Sequence, residues 1–85
     1  MVKCTIRYWA AAKEAAGTAE ESVDAATLAD ALDTARRLHP GDRFHRVLGM
    51  SSFLLDGNPV GHREHGGIPV TEGTVIEVLP PFAGG

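Results

Sequence analysis

Only one stretch of the chain has the length and spacing of a helix that must be covered on one side. Leu28, Ala31, Leu32, Ala35 and Leu38 recur at helical spacing, and Asp30, Asp33, Arg36 and Arg37 fill the opposite face. Thr27 is a good N-cap, and Asp30, at the third helical position, imitates a capping box. Arg36 and Arg37 lie at the end where the helix dipole favours cations, and Pro40-Gly41 stops the helix. With no second helix of this length to pair with, the apolar stripe needs a sheet face.

The strands for that sheet come from both ends of the chain. Val2, Cys4, Ile6 and Tyr8 alternate strictly with Lys3, Thr5 and Arg7, the pattern of a half-buried strand over residues 2–8. Cys4 therefore reads as a small buried hydrophobe and not as a nucleophile, since reactive thiols need exposure and a positive setting. Residues 75–79, Val-Ile-Glu-Val-Leu, form the other clear strand, which Pro80 ends because it has no N–H for the ladder.

Between these lie weaker signals. Residues 9–16 are alanine-rich and are followed by Gly17, which predicts a short helical turn closed by a glycine. Residues 20–25 are a second strand with Val23 as the only large apolar residue. Asp42 is placed to cap a second short helical turn, with Phe44, Val47 and Leu48 on one side. Residues 52–55 are a third strand, Asp56-Gly57-Asn58-Pro59 a turn, and Val60 the start of a short return strand. Residues 61–67 form a polar loop, and Glu72-Gly73 turns into the last strand.

This order predicts an α+β fold of the ubiquitin-like β-grasp type. A mixed sheet of four to five strands is covered by one main helix, with the first and last strands side by side at its centre. Eighty-five residues make one such domain with a small core, burying about 60–65% of the unfolded chain's surface. The domain spans residues 1–79, and residues 80–85 are an extended arm ending in Gly-Gly. Two consecutive prolines favour a stiff polyproline course away from the body. Six residues reach at most ~20 Å, and Ala83-Gly84-Gly85 has almost no side chain. Such an arm suits a narrow active site on another protein.

Composition narrows the chemistry. A net charge of −3 with pI near 5.7 disfavours nucleic acid as a partner. One cysteine excludes an internal disulfide framework or a multi-cysteine metal site. No leader and no bilayer-length apolar run is found, so a cytoplasmic protein with no membrane partner is expected. Neither G-x-x-x-x-G-K-[ST] nor G-x-G-x-x-G occurs, and Ser22, Ser51 and Ser52 lie outside any G-x-S-x-G elbow. His62, Glu64 and His65 are the best metal-like cluster, but no second half-site accompanies them, so no metal site is expected. His39 sits at a helix C-terminus, His45 has no evident partner, and one of Tyr8, Trp9 and Phe53 is a candidate exposed anchor.

That leaves the Gly85 carboxylate. A carboxylate is a poor electrophile and must become a mixed anhydride, normally an acyl-adenylate, before sulfur or an amine can join its carbon. The chain has no ATP site and is expected to bind no cofactor itself, so ATP would be used by an activating enzyme in trans. Terminal glycine leaves the acyl carbon open, and Gly84 lets the backbone adopt dihedrals closed to other residues. These features fit a carried acyl group better than an enzyme. Thioacid formation and amide formation both begin from the same adenylate.

Nearly the whole chain resembles the molybdopterin-synthase small subunit and related thiocarboxylate sulfur carriers. The resemblance rests on residues 8–17, Tyr-Trp-Ala-Ala-Ala-Lys-Glu-Ala-Ala-Gly, the Thr27-led helix ending at His39-Pro40, the Glu72-Gly73 turn and, most specifically, Leu79-Pro80-Pro81-Phe82-Ala83-Gly84-Gly85. It implies that a ubiquitin-activating-type adenylyltransferase activates Gly85 and that a sulfur donor enzyme converts it to a thiocarboxylate. The arm then enters the large subunit of molybdopterin synthase, where its sulfur passes to a cyclic pterin phosphate. Ala83 and Gly84 would thread the tunnel, with Pro80, Pro81 and Phe82 positioning the arm. Two departures bear on partner choice: Phe82 is bulkier than the pattern expects, and residues 61–67 are rich in glycine and histidine. A carrier serving cysteine, thiamine or another sulfur-containing metabolite, a ubiquitin-like covalent modifier, and a non-covalent adaptor with an inert tail are the alternatives; the double proline disfavours the thiamine type by resemblance.

Overall fold

The two strands with the clearest sequence signals lie next to each other. In the computed structural model, which describes residues 1–81, β1 (Val2–Tyr8) runs parallel to β5 (Val75–Leu79), pairing Thr5 with Val75 through Tyr8 with Val78. Alternation decides which side chains go inward. Cys4, Ile6 and Tyr8 of β1 and Ile76 and Val78 of β5 are buried, while Lys3 is exposed and Thr5, Arg7 and Glu77 lie half-covered. Further strands are β2 (Glu20–Ala25), β3 (Ser52–Leu55) and β4 (Asn58–Pro59), giving the sheet order β2-β1-β5-β3-β4. β5 is thus the middle strand, bonded to β1 on one side and antiparallel to β3 on the other.

The long helix α2 (Leu28–Leu38) covers this sheet with Leu28, Ala31, Leu32 and Ala35. A fully buried leucine contributes about 1.5–3 kcal/mol. Its start is capped as the sequence implies: Asp30 N–H donates to Thr27 Oγ1 at 3.2 Å, and Asp30 Oδ2 accepts from Ala26 N–H at 3.3 Å. The entry is also tied to the segment before β5, since Leu28 N–H donates to the Ile68 carbonyl and Val70 N–H to that of Ala26. Leu38 departs from the expected stripe and is 53% exposed. The next residue, His39, takes the inward place, its ring 4.8 Å from Phe44 and 6.0 Å from Tyr8.

Three expectations need correction. The short turn at Asp42 is a nine-residue helix, α3 (Asp42–Met50), whose N-cap is Gly41 and which buries Phe44, Val47 and Leu48. The return strand is Asn58–Pro59 and stops before Val60. Proline at 59 has no N–H to extend the ladder and is tolerated because β4 lies at the sheet edge. The loop over residues 61–67 closes with a 3-10 turn at His65–Gly67.

The hairpin between β3 and β4 has a two-residue loop, Asp56 (φ 50°) and Gly57 (φ 84°). Positive φ at both positions is the type I′ requirement that Asp-Gly meets. Asp56 also binds the start of β5, through its N–H to the Val75 carbonyl and its Oδ1 to the Val75 N–H, each at 2.9 Å. The remaining helix, α1 (Ala10–Ala16), ends on Gly17 in the left-handed conformation (φ 76°), whose N–H reaches the Lys13 carbonyl. Among the described residues no helix is long and apolar enough to cross a membrane.

Candidate functional site

The candidate site begins where β5 ends. A middle strand cannot shift without breaking ladders on both sides, so its last residue is a fixed point of departure. Leu79 pairs with Ser52 across β3 and is half-buried, Pro80 is half-buried, and Pro81 is exposed. No linker separates the core strand from the double proline. Of the sequence-predicted arm, Pro80 and Pro81 are therefore placed at the rim of the sheet, and Phe82, Ala83, Gly84 and Gly85 lie outside the described residues.

One side of this exit is formed by Trp9. It follows Tyr8, the last residue of β1, so strand parity turns its side chain to the face opposite the core. Trp9 is 47% exposed, whereas Tyr8 and Phe53, the other aromatic candidates for an anchor, are buried. Its backbone N–H donates to the Val78 carbonyl at 3.2 Å, and its indole Nε1–H donates to Glu77 Oε1 at 3.0 Å. Trp9, Ala10, Leu79 and Pro80 line a notch of about 300 Å³. Beside it, Trp9, Ala10 and Pro81 join Lys13, Gly17 and Thr18 around a wider groove of about 810 Å³. Ala10, between the two, has φ 48°, a left-handed conformation that costs a non-glycine residue about 1–3 kcal/mol. The Trp9–Glu77 pair was not legible as a pair, because it joins residues at opposite ends of the chain. The outward parity of both residues was the available signal.

The other titratable groups have structural partners or none at all. Cys4 is 1% exposed, its S–H directed at the Val23 carbonyl at 3.6 Å. Burial pushes its thiol pKa up, and the nearby Asp24 and Glu72 carboxylates add to the rise, so the reactive thiolate is suppressed as the strand pattern implied. His39 Nε2 lies 2.7 Å from Glu21 Oε2, and His45 Nε2 lies 3.1 Å from the Arg36 carbonyl oxygen. His62 is exposed, and the His65 ring stands edge-on to Phe53 at 5.3 Å. Among the described residues no three His, Cys, Asp or Glu side chains are grouped to hold a metal ion.

No curated protein matches the sequence. Solved structures do match the fold over nearly its full length. The small archaeal modifier protein 1 of Methanosarcina acetivorans is 24% identical with a TM-score of 0.85, all of this chain aligning with 98% of that one. The protein of the same name from Haloferax volcanii is 26% identical with a TM-score of 0.81, covering 98% of this chain and 99% of its own. A chain from the complex of subunits 1 and 2 of the molybdopterin-converting factor of Helicobacter pylori is 20% identical with a TM-score of 0.71, covering 99% of this chain and all of that one. The β-grasp fold is common to all three. The ThiS family model matches residues 6–85, from the end of β1 through Trp9 to the end of the arm, and the chain belongs to this family of ubiquitin-like sulfur carriers.

Proposed function

We propose that the protein carries sulfur as a thiocarboxylate on Gly85 and donates it in the synthesis of molybdopterin. The observation that carries the reading is the root of the arm: Pro80 follows the middle strand of the sheet with no linker, so the root is fixed, and the sequence ends in Gly84-Gly85 with no side chains. The match of the ThiS family model as far as residue 85 supports the same tip. In the first step the Gly85 carboxylate attacks the α-phosphorus of ATP on a ubiquitin-activating-type adenylyltransferase, and pyrophosphate leaves. A sulfur nucleophile supplied by a donor enzyme then displaces AMP from the acyl carbon. In this reading the protein presents the acyl carbon, and its partner enzymes supply the ATP site and the catalytic groups.

The large subunit of a molybdopterin synthase is the proposed acceptor partner, with Ala83 and Gly84 in its tunnel and Pro80, Pro81 and Phe82 setting the approach. The Helicobacter pylori complex of subunits 1 and 2 supports a partner of this kind. Intact-mass analysis of the protein from its own cell tests the carrier step: sulfur in place of one terminal oxygen is expected, and unmodified protein under sulfur-replete growth overturns it. Incubating the thiocarboxylated protein with a matching large subunit and the cyclic pterin phosphate tests the pathway. Transfer to the pterin is expected, and transfer only to another acceptor assigns a different sulfur pathway.

The likeness to the small archaeal modifier proteins favours a second reading, in which Gly85 is joined to lysine amines of other proteins. A ladder of high-mass adducts in a lysate blot supports that reading, and a single free band counts against it.

A further inference from the structure

We infer that Trp9 is a positioning residue that sets the direction in which the arm leaves the sheet, holding its root through Val78 and Glu77; this rests on the carrier reading above. Trp9 grips β5 twice. Its backbone N–H binds the Val78 carbonyl, and its indole N–H binds Glu77 Oε1 at 3.0 Å. Both partners lie within three residues of Pro80. The indole then forms a wall of two adjoining hollows, one containing Pro80 and the other Pro81. Each of the two described prolines of the arm thus shares a hollow with Trp9.

Core packing does not account for this residue. Trp9 is 47% exposed and lies outside the buried core cluster, and both of its N–H groups bond to β5. Glu77 could face Arg7, its register partner in the parallel pair, yet its carboxylate oxygen meets the indole instead, and Arg7 turns to Glu20 at 3.7 Å. The left-handed Ala10 directly after Trp9 lets α1 begin at once, so Trp9 remains extended beside Val78. The strained Ala10 thus sits directly after Trp9, and no residue of β1 has a positive φ.

An arm aimed before binding loses less conformational freedom on entering a partner's site. The consequence belongs in the encounter with the activating enzyme and not in the chemistry at the acyl carbon. Loss of the clamp should raise KM for the carrier and leave kcat unchanged.

The experiment uses the full chain with three substitutions. Trp9→Phe keeps an aromatic wall and removes the donor. Glu77→Ala removes the acceptor, and Glu77→Gln keeps one. Residual dipolar couplings of the Cα–Hα bonds of Pro80 and Pro81 report the direction of the arm root. They are expected to change in Trp9→Phe and in Glu77→Ala and to keep wild-type values in Glu77→Gln. In adenylation assays with the adenylyltransferase of the same cell, Trp9→Phe and Glu77→Ala are expected to raise KM about threefold to tenfold, the range of one ordinary net hydrogen bond, at constant kcat. The double variant should be no worse than either single one, because both break the same contact. Unchanged couplings in Trp9→Phe and Glu77→Ala, or a fall in kcat at constant KM, overturn the inference. If the wild-type protein is not adenylated at all, the carrier reading fails, while the couplings still decide whether Trp9 aims the arm.

Discussion

The Tyr8 hydroxyl donates to Glu21 Oε2 at 2.6 Å, and the same oxygen lies 2.7 Å from His39 Nε2. One carboxylate oxygen thereby ties the end of β1 to the edge strand β2 and to the end of α2. Tyr8 is 1% exposed, so its hydroxyl has no water to fall back on. Tyr8→Phe is expected to destabilise the protein by about 1–2 kcal/mol in urea unfolding, mostly through the lost charge-assisted hydrogen bond. Gly85 activation should be unaffected, since the pair lies on the β2 side of the sheet. A loss of activation at full occupancy of the folded state would sink this separation of roles.

The same contact predicts alkaline behaviour. Burial first, and then the hydrogen bond to Glu21 and its charge, raise the Tyr8 pKa well above the ordinary phenol range. A group whose folded pKa is raised contributes stability that is complete below its unfolded pKa and is lost as the pH rises. Stability should therefore begin to fall above about pH 10, the ordinary value for tyrosine. Tyr8 is the only tyrosine, so ultraviolet absorbance of the phenolate reports this group alone. Its ionisation should coincide with alkaline unfolding; phenolate appearing in the folded protein near pH 10 would contradict the assignment.

Cys4 is also raised, and it is the only cysteine. A thiol reagent should modify the native protein slowly and the urea-unfolded protein fast, at a rate set by opening of the sheet. Cys4→Ala is expected to cost about 1 kcal/mol and to leave sulfur transfer intact. If a well-folded Cys4→Ala protein loses transfer, the sulfur travels through this thiol and the proposed route is wrong.

Legibility in the sequence followed the strength of local patterns. β1, β5 and α2 were readable because each has a clean period, and their burial follows it residue by residue at Cys4, Ile6, Tyr8, Leu28 and Leu32. α3 was underestimated because Gly49 and the early break at Gly41 dilute its helical signal, although Phe44, Val47 and Leu48 were placed on the correct side. Leu38 fitted the stripe by spacing, but the helix reaches the end of its covered face there and His39 replaces it inside. At the site, the exit of the arm was legible because Pro80 cannot continue the ladder of a central strand. The wall beside it was not, since the contact between Trp9 and Glu77 depends on β1 and β5 being parallel neighbours in a particular register.

The cap of α2 offers a test of the helix alone. Thr27→Ala removes the oxygen that accepts from Asp30 N–H and is expected to cost about 0.5–2 kcal/mol. Thr27→Ser should recover most of it in the same unfolding assay. Equal loss in both variants would indicate that the methyl group, and not the hydroxyl, holds this corner against Pro69, its bridge partner.

The arm is expected to act through access and not through folding. Adding one residue beyond Gly85 displaces the carboxylate by up to ~3.6 Å, so adenylation should be abolished. Gly84→Val should do nearly the same, because a β-branched side chain both narrows the thread and restricts the backbone. Neither change meets the core defined by β1, β5 and α2, so the melting temperature should stay within about 2–4 °C of wild type, as surface changes do. Phe82→Ala should separate the two functions of the arm. If the ring is an anchor in the partner, its removal weakens docking by about 1–3 kcal/mol while Gly85 remains competent at saturating partner. Adenylate formation, partner affinity and thermal unfolding, measured together on each variant, distinguish these cases. Wild-type adenylation by the extended or Gly84→Val protein would refute the threaded arm. Unchanged affinity of Phe82→Ala would remove only the anchor, because threading depends on Ala83 and Gly84 and carriage on Gly85.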